Sequence, residues 1–366
     1  MKYYSILSFL LFASSMLFGA EAVALISGAR SEAGHQDGTG VEARFNDPMG
    51  LARDAQGSLY VCDARNHVIR KITPGGIVTT LAGKPGESGA LNGVGSAARF
   101  HFPADIAVAP NGTLYVADSG NHCIRVIDAN GAVTTLAGDL GSANDIKLNY
   151  GETYASVPAQ LNGTGPTARF NSPGGIAYAP AGYLYVSDTG NQVIRKVSLN
   201  GTVTTLAGKA GEWGFTNGRG VKARFSSPMG LCLGAKGDLY IADSMNHTIR
   251  RMTPRGDVFT FAGSPHEAGR TSGSRLQARF SEPTDITPHP EGGFVICESF
   301  GKALFGIAVD GNVTLFTGHE LSHPNSAVCD ENGNVYVTDT LNQEVRLIID
   351  KFVIPRISVK RPTLRK

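Results

Sequence analysis

Apolar residues come in short bursts along this chain. Runs of four to six residues rich in Val, Ile, Leu, Tyr and Thr are each bounded by Gly, Pro, Asn or Asp. No run carries the 3.6-residue period of a long amphipathic helix, so the bursts read as strands. They come in sets of four, one set being residues 105–108, 113–117, 123–127 and 132–136. Asn111-Gly112 separates the first pair and Asn130-Gly131 the second. Both are hairpin dipeptides, because the central residues of a two-residue hairpin take positive φ.

The set recurs. An Arg-Phe pair precedes it at Phe45, Phe100, Phe170, Phe225 and Phe280, in steps of 55, 70, 55 and 55 residues. An acid ends the second strand at Asp63, Asp118, Asp188, Asp243, Glu298 and Asp339, the last step being 41. Six near-regular copies of four antiparallel strands describe a six-bladed β-propeller, an all-β fold. Residues 23–28 match 78–83, a fourth strand, yet no first three precede them, whereas 325–349 supply three strands without a fourth. The N-terminal strand is therefore expected to complete the sixth blade and close the ring. Residues 352–357 compete for that place but lack the Gly turn and contain Pro355.

The copies carry Asn66-His67-Val68, Asn121-His122-Cys123, Asn191-Gln192-Val193, Asn246-His247-Thr248 and Asn342-Gln343-Glu344. In these residues the chain resembles the NHL-repeat proteins, named for Asn-His-Leu, although Leu is never third here. The resemblance spans nearly the whole chain and implies the six-bladed propeller, but a propeller hosts many functions. Six-bladed relatives of the gluconolactonase type hold a cation in the channel with carboxylate and Asn. The amidating lyase that resembles NHL propellers uses His there.

Composition narrows the setting. A length of 366 residues would suggest two domains, but an uninterrupted repeat over 23–349 overrides that prior. With 33 basic and 31 acidic residues, no global field draws the chain to nucleic acid. Lys2, the apolar run 6–18 and Ala20-Glu21-Ala22 have the three parts of a signal peptide over 1–22, so export to the periplasm or the extracellular space is expected. No other stretch is long and apolar enough to span a bilayer. Residues 350–366 form a basic tail. The five Cys fall where other copies carry small residues and read as buried fillers; an odd count leaves at least one free thiol.

The repeated Asp, Asn and Arg look like a catalytic set but recur in five blades, and chemistry needs a residue once; they read as structural, with Glu298, Gly301 and Phe305 replacing them in the fifth. Channel-entry positions, two after each blade's first Pro, differ between blades: Gly50, Asp105, Gly175, Gly230, Asp285 and Ser326. Asp105 and Asp285 belong to opposite blades, and oxygen ligands converging there suit calcium or another divalent cation. The alternative is that each Asp caps amides of its own loop. No His stands at these positions, which counts against a lyase of the amidating type.

Long linkers from fourth to first strands share one face with the turns between second and third strands. Tyr150 and Tyr154 lie in a 15-residue insertion and Trp213, the only Trp, in another linker, so this loop face is the expected contact surface. His319-Glu320-Leu321-Ser322-His323 spells the zinc-protease H-E-x-x-H, but too few residues precede Pro324 for a helix, and only loop coordination of zinc by His319 and His323 is left. The expected function is an exported binding module for a protein, peptide or glycan, with no nucleic acid partner and a monomeric state. The alternative is a divalent-metal-dependent hydrolase or lyase using the channel.

Overall fold

A computed structural model describes residues 22–139, 161–317 and 321–349. They form six antiparallel sheets arranged in a ring, and the helical turns among them are single 3-10 turns. Blade 1 is Pro48–Arg53, Leu59–Asp63, Val68–Ile72 and Ile77–Ala82; blades 2 to 5 repeat the pattern. Blade 6 contains Pro324–Cys329, Val335–Asp339 and Glu344–Ile349, and its fourth strand is Ala22–Gly28. The closing strand pairs antiparallel with the third, Ala22 opposite Ile349 and Leu25 opposite Arg346. Ring closure by the N-terminal strand is thus as the repeat pattern predicts.

The blades depart from the four-strand expectation in one respect. Blades 1 to 5 each have a fifth strand of two residues, such as Gly38–Thr39, donated by the linker that enters the blade and paired with its outermost strand. Residues 1–21 of the expected signal peptide, the insertion with Tyr150 and Tyr154, His319, and residues 350–366 with the competing segment 352–357 lie outside the described residues.

The core lies between blades rather than inside them. One cluster combines Tyr60, Cys62 and Ile69 of blade 1 with Ile106, Leu114 and Val116 of blade 2, around Phe100. The Phe of every Arg-Phe pair is fully buried this way, at Phe45, Phe100, Phe170, Phe225 and Phe280. A flat four-stranded sheet has two apolar faces, and stacking around a ring covers both. All five Cys are free thiols; Cys62, Cys232 and Cys297 are buried in these seams, and Cys123 is buried as well.

Candidate functional site

The repeated polar residues are sequestered. Asp63 Oδ2 accepts from Asn66 Nδ2 at 2.8 Å and from Arg70 Nη1 at 2.7 Å, while its Oδ1 accepts from the Asn46 amide at 2.7 Å. Arg70 also donates to the Arg44 and Gln36 carbonyls and lies 5.0 Å over the Phe45 ring. The same arrangement surrounds Asp118, Asp188 and Asp243. Each acid and Arg is fully buried, so these groups hold the linker onto its blade and meet no ligand. In blade 5, Gly301 and Phe305 leave Glu298 with only the Ser281 amide on Oε1; Oε2 has no hydrogen-bond partner. Burial pushes the Glu298 carboxyl up to about 8.

The middle residue of the Asn-His-Leu motif joins neighbouring blades, a role that the sequence reading missed. His67 Nδ1 accepts from the Phe102 amide at 3.1 Å, His122 Nδ1 from Ser172 at 2.9 Å and His247 Nδ1 from Glu282 at 3.1 Å. Gln192 and Gln343 do the same through Oε1 to Ser227 and Asp47. Both ends of each strap are left-handed, with φ 59° at His67 and 52° at Phe102, which turns the side chain and the amide toward one another. An Nδ1 that accepts must carry its proton on Nε2, so these rings are neutral. Burial, and then the His101 ring, pulls His122 down to about 4.

The channel positions also clamp neighbours. Asp105 Oδ1 accepts from its own Ile106 amide and Oδ2 from Ile176 of blade 3, both at 2.8 Å. Asp285 Oδ1 accepts from Ile286 at 2.8 Å, and Oδ2 from Ser326 Oγ at 2.7 Å and the Ala327 amide of blade 6 at 3.1 Å. Ser326 Oγ in turn accepts from Leu51 of blade 1 at 3.3 Å. Gly at the preceding blade makes room: a Cβ on Gly230 would lie 2.2 Å from Asp285 Oδ1, and one on Gly50 2.4 Å from Asp105 Cα. Burial raises both carboxyls, and the Asp285 charge raises Asp105 further. Among the described residues, no group of three or more His, Cys, Asp or Glu is arranged to hold a metal ion.

The loop face carries the exposed variable residues. Trp213 is 74 % exposed in the linker entering blade 4. The position two after the strand-ending acid is Arg65, Gly120 and Gly190 in blades 1 to 3 but Met245, Phe300 and Leu341 in blades 4 to 6. Those three are 50, 64 and 49 % exposed. A Cβ on Gly120 would strike the His101 ring and one on Gly190 the Asn171 side chain, so this place is filled in blades 2 and 3, carries exposed Arg65 in blade 1 and presents apolar knobs in blades 4 to 6. An apolar residue in a turn where other copies carry Gly or Arg was the sequence signal for them. Phe300 packs edge-on against His323, centroids 5.3 Å apart. His323 sits in a non-helical stretch, its amide bound to Asp339.

The model of the NHL repeat matches residues 100–127 and 225–252. This is an NHL-repeat protein. It is 30 % identical over 288 residues to SUPPRESSOR OF QUENCHING 1 of Arabidopsis thaliana, covering 74 % of this chain and 26 % of that protein. It is 30 % identical over 278 residues to human NHL repeat-containing protein 2, covering 68 % and 37 %. The NHL-repeat chain thus spans well under half the length of these curated relatives. Among solved structures, a Bacteroides thetaiotaomicron protein of unknown function superposes with a TM-score of 0.65 at 21 % identity, covering 90 % of this chain and 75 % of that one. A gluconolactonase from Xanthomonas campestris gives 0.57 at 15 %, with 83 % and 86 % covered. Virginiamycin B lyase from Staphylococcus aureus gives 0.52 at 15 %, with 80 % and 78 % covered. These likenesses carry the propeller fold and no activity.

Proposed function

We propose that this NHL propeller is an exported binding module that docks a protein or peptide on the loop face of blades 4 to 6. The observation that carries the reading is the exposure of Trp213, Met245, Phe300 and Leu341 on one face, while the repeated polar residues are buried in structural bonds. Exposed apolar side chains gathered on one face mark contact surfaces, and Trp and other aromatics dominate contact energies. A protein or peptide suits Met245, Phe300 and Leu341 better than a glycan, which needs hydrogen-bonding groups that these side chains lack.

A photoreactive residue at position 300 should cross-link a discrete partner in the source cell envelope, and one at position 111, in a turn on the opposite face, should not. Equal cross-linking from both positions, or none from 300, would refute the reading. Trp213→Ser with Phe300→Ser should abolish capture and leave the melting temperature unchanged.

A second reading rests on Asp105, whose carboxyl feels the charge of Asp285 within the channel. Two such carboxylates suit a hard cation, and calcium there would need carbonyls or waters to complete its six to eight oxygens. The channel would then support the hydrolase or lyase alternative. Elemental analysis of chelator-free protein decides it: one equivalent of metal, lost on Asp105→Ala with Asp285→Ala, favours the channel reading, and metal-free folded protein removes it.

A further inference from the structure

Five blades cover the outer edge of their fourth strand, and in the sixth no described residue does. In blade 1 the linker lays Gly38-Thr39 antiparallel to Val78 and Ile77, and Asp37 just before it accepts from the Thr80 amide at 3.0 Å. Gly93-Val94, Gly163-Thr164, Gly218-Arg219 and Gly273-Ser274 repeat the pairing on blades 2 to 5. Asn92, Asn162, Asn217 and Ser272 precede them and accept from Thr135, Thr205, Thr260 and the Leu315 amide. The third-strand Arg secures the same Asx: Arg70 Nη2 reaches Asp37 at 2.8 Å and Arg125 reaches Asn92 at 3.0 Å.

In blade 6 the fourth strand is Ala22–Gly28, and among the described residues no linker strand covers it. The preceding strand ends at Thr317 and the first strand of blade 6 starts at Pro324, too close for the crossing. Among the described residues, nothing pairs with the outer edge of Ala22–Gly28. Arg346, the third-strand Arg of this blade, turns instead to Glu344, with Nη2 at 2.7 Å from Oε2 and Nε 3.7 Å from Asp339. Glu344 stands where the other blades carry Val68, Cys123, Val193, Thr248 and Ala303. The edge has no Pro and no charge, the devices that normally protect exposed strands.

We propose that this edge is a second binding site, separate from the loop face, which takes an extended peptide of another protein reading Asx-Gly-Thr or Asx-Gly-Val. The other five blades are the template for its occupant. The Gly of the peptide pairs antiparallel with Val23, the position equivalent to Val78 and the first residue left once the expected signal peptide 1–22 is removed. The Asx side chain accepts from the Leu25 amide, equivalent to Thr80, and Arg346 exchanges Glu344 for it. Main-chain bonds supply affinity in this mode and the Asx supplies register.

The test is fluorescence anisotropy with a labelled synthetic peptide of the sequence of residues 90–96, Ala-Leu-Asn-Gly-Val-Gly-Ser. Saturable binding is expected. Leu25→Pro, which removes the outward amide and spares the ladder to Glu344–Ile349, should weaken it about tenfold, the worth of one such bond. The same peptide N-methylated at its first Gly and at Val should lose at least as much, a comparison that leaves the protein unaltered. Trp213→Ser should bind unchanged, which separates this site from the loop face. No saturable binding, or equal binding of the methylated peptide, overturns the proposal. Binding only by a variant ending at Ile349 overturns it in favour of the chain's own tail, and a dimer dispersed by Leu25→Pro overturns it in favour of a second copy.

Discussion

Glu298→Gln should stabilise this protein in alkali and do little in acid. In four other blades the strand-ending acid receives an Asn amide and a guanidinium; in blade 5 both donors are gone and Glu298 is fully buried with Oε2 unmatched. Its carboxyl is pushed from 4.5 to about 8 by burial, so the native state holds a proton that the unfolded chain releases. The contribution of Glu298 to stability is therefore complete below pH 4.5 and is lost as pH rises through 8. A tenfold difference in proton affinity between the folded and unfolded chain corresponds to about 1.4 kcal/mol, which puts the loss above pH 8 at roughly 5 kcal/mol as an upper bound, with about 2 to 3 a reasonable expectation once local opening admits water.

Gln keeps the acceptor for the Ser281 amide and brings an N–H to the place from which Asn66, Asn121 and Asn246 serve the Gly34, Gly89 and Gly214 carbonyls. Gly269 is the equivalent carbonyl in blade 5. Urea denaturation of wild type and variant at pH 5 and pH 9 gives the comparison. The variant should gain stability at pH 9 and change by under about 1 kcal/mol at pH 5. A loss of equal size at both values would refute the claim that an uncompensated acid is buried in blade 5.

Three further outcomes follow from the same geometry. His122→Gln should remove an acid sensitivity: the ring sits near 4 in the native state and 6.5 unfolded, so its contribution is complete above pH 6.5 and lost toward pH 4, about 3 kcal/mol, and Gln keeps the acceptor as Gln192 does. Thermal melts at pH 4.5 and pH 7.5 read it, and an unchanged difference between them counts against the strap. Arg125→Ala should cost about 3 to 5 kcal/mol, because the Asp118 charge is left buried; a melting temperature within a degree or two of wild type would contradict it. Gly230→Ala should cost about 1 to 3 kcal/mol by pressing a methyl into Asp285, measured by the same melts, and a neutral result would mean that the channel is looser than its geometry.

Much of this molecule was legible in the chain. The blade pattern, the seam Phe residues and the role of Ala22–Gly28 follow from local apolar runs and from counting, because a strand without its set has only one place to go. The structural role of Asp63, Asn66 and Arg70 was legible from repetition alone, and their burial was not. Asp105 and Asp285 stood out in the sequence because their position differs between blades, but their commitment to the Ile176 and Ala327 amides belongs to neighbouring blades and leaves no mark in their own segments.

What the sequence by itself determined is the repeat: where strands begin and end, how many blades exist and which polar groups recur. These are set by hydrophobic periodicity and turn residues, which act within a few positions. Only the tertiary structure decided the rest. The two-residue covering strands pair with a strand about 40 residues further along the chain, so the repeated Asx-Gly of the linkers marks a turn without showing which strand it meets. His67 and His122 became straps because an amide of the next blade is presented in left-handed backbone. Met245, Phe300 and Leu341 stay about half or more exposed among the described residues, whereas His101 and Asn171 fill the same place in blades 2 and 3. Contacts between blades join residues far apart in the chain, and proximity of that kind exists only once the ring is closed.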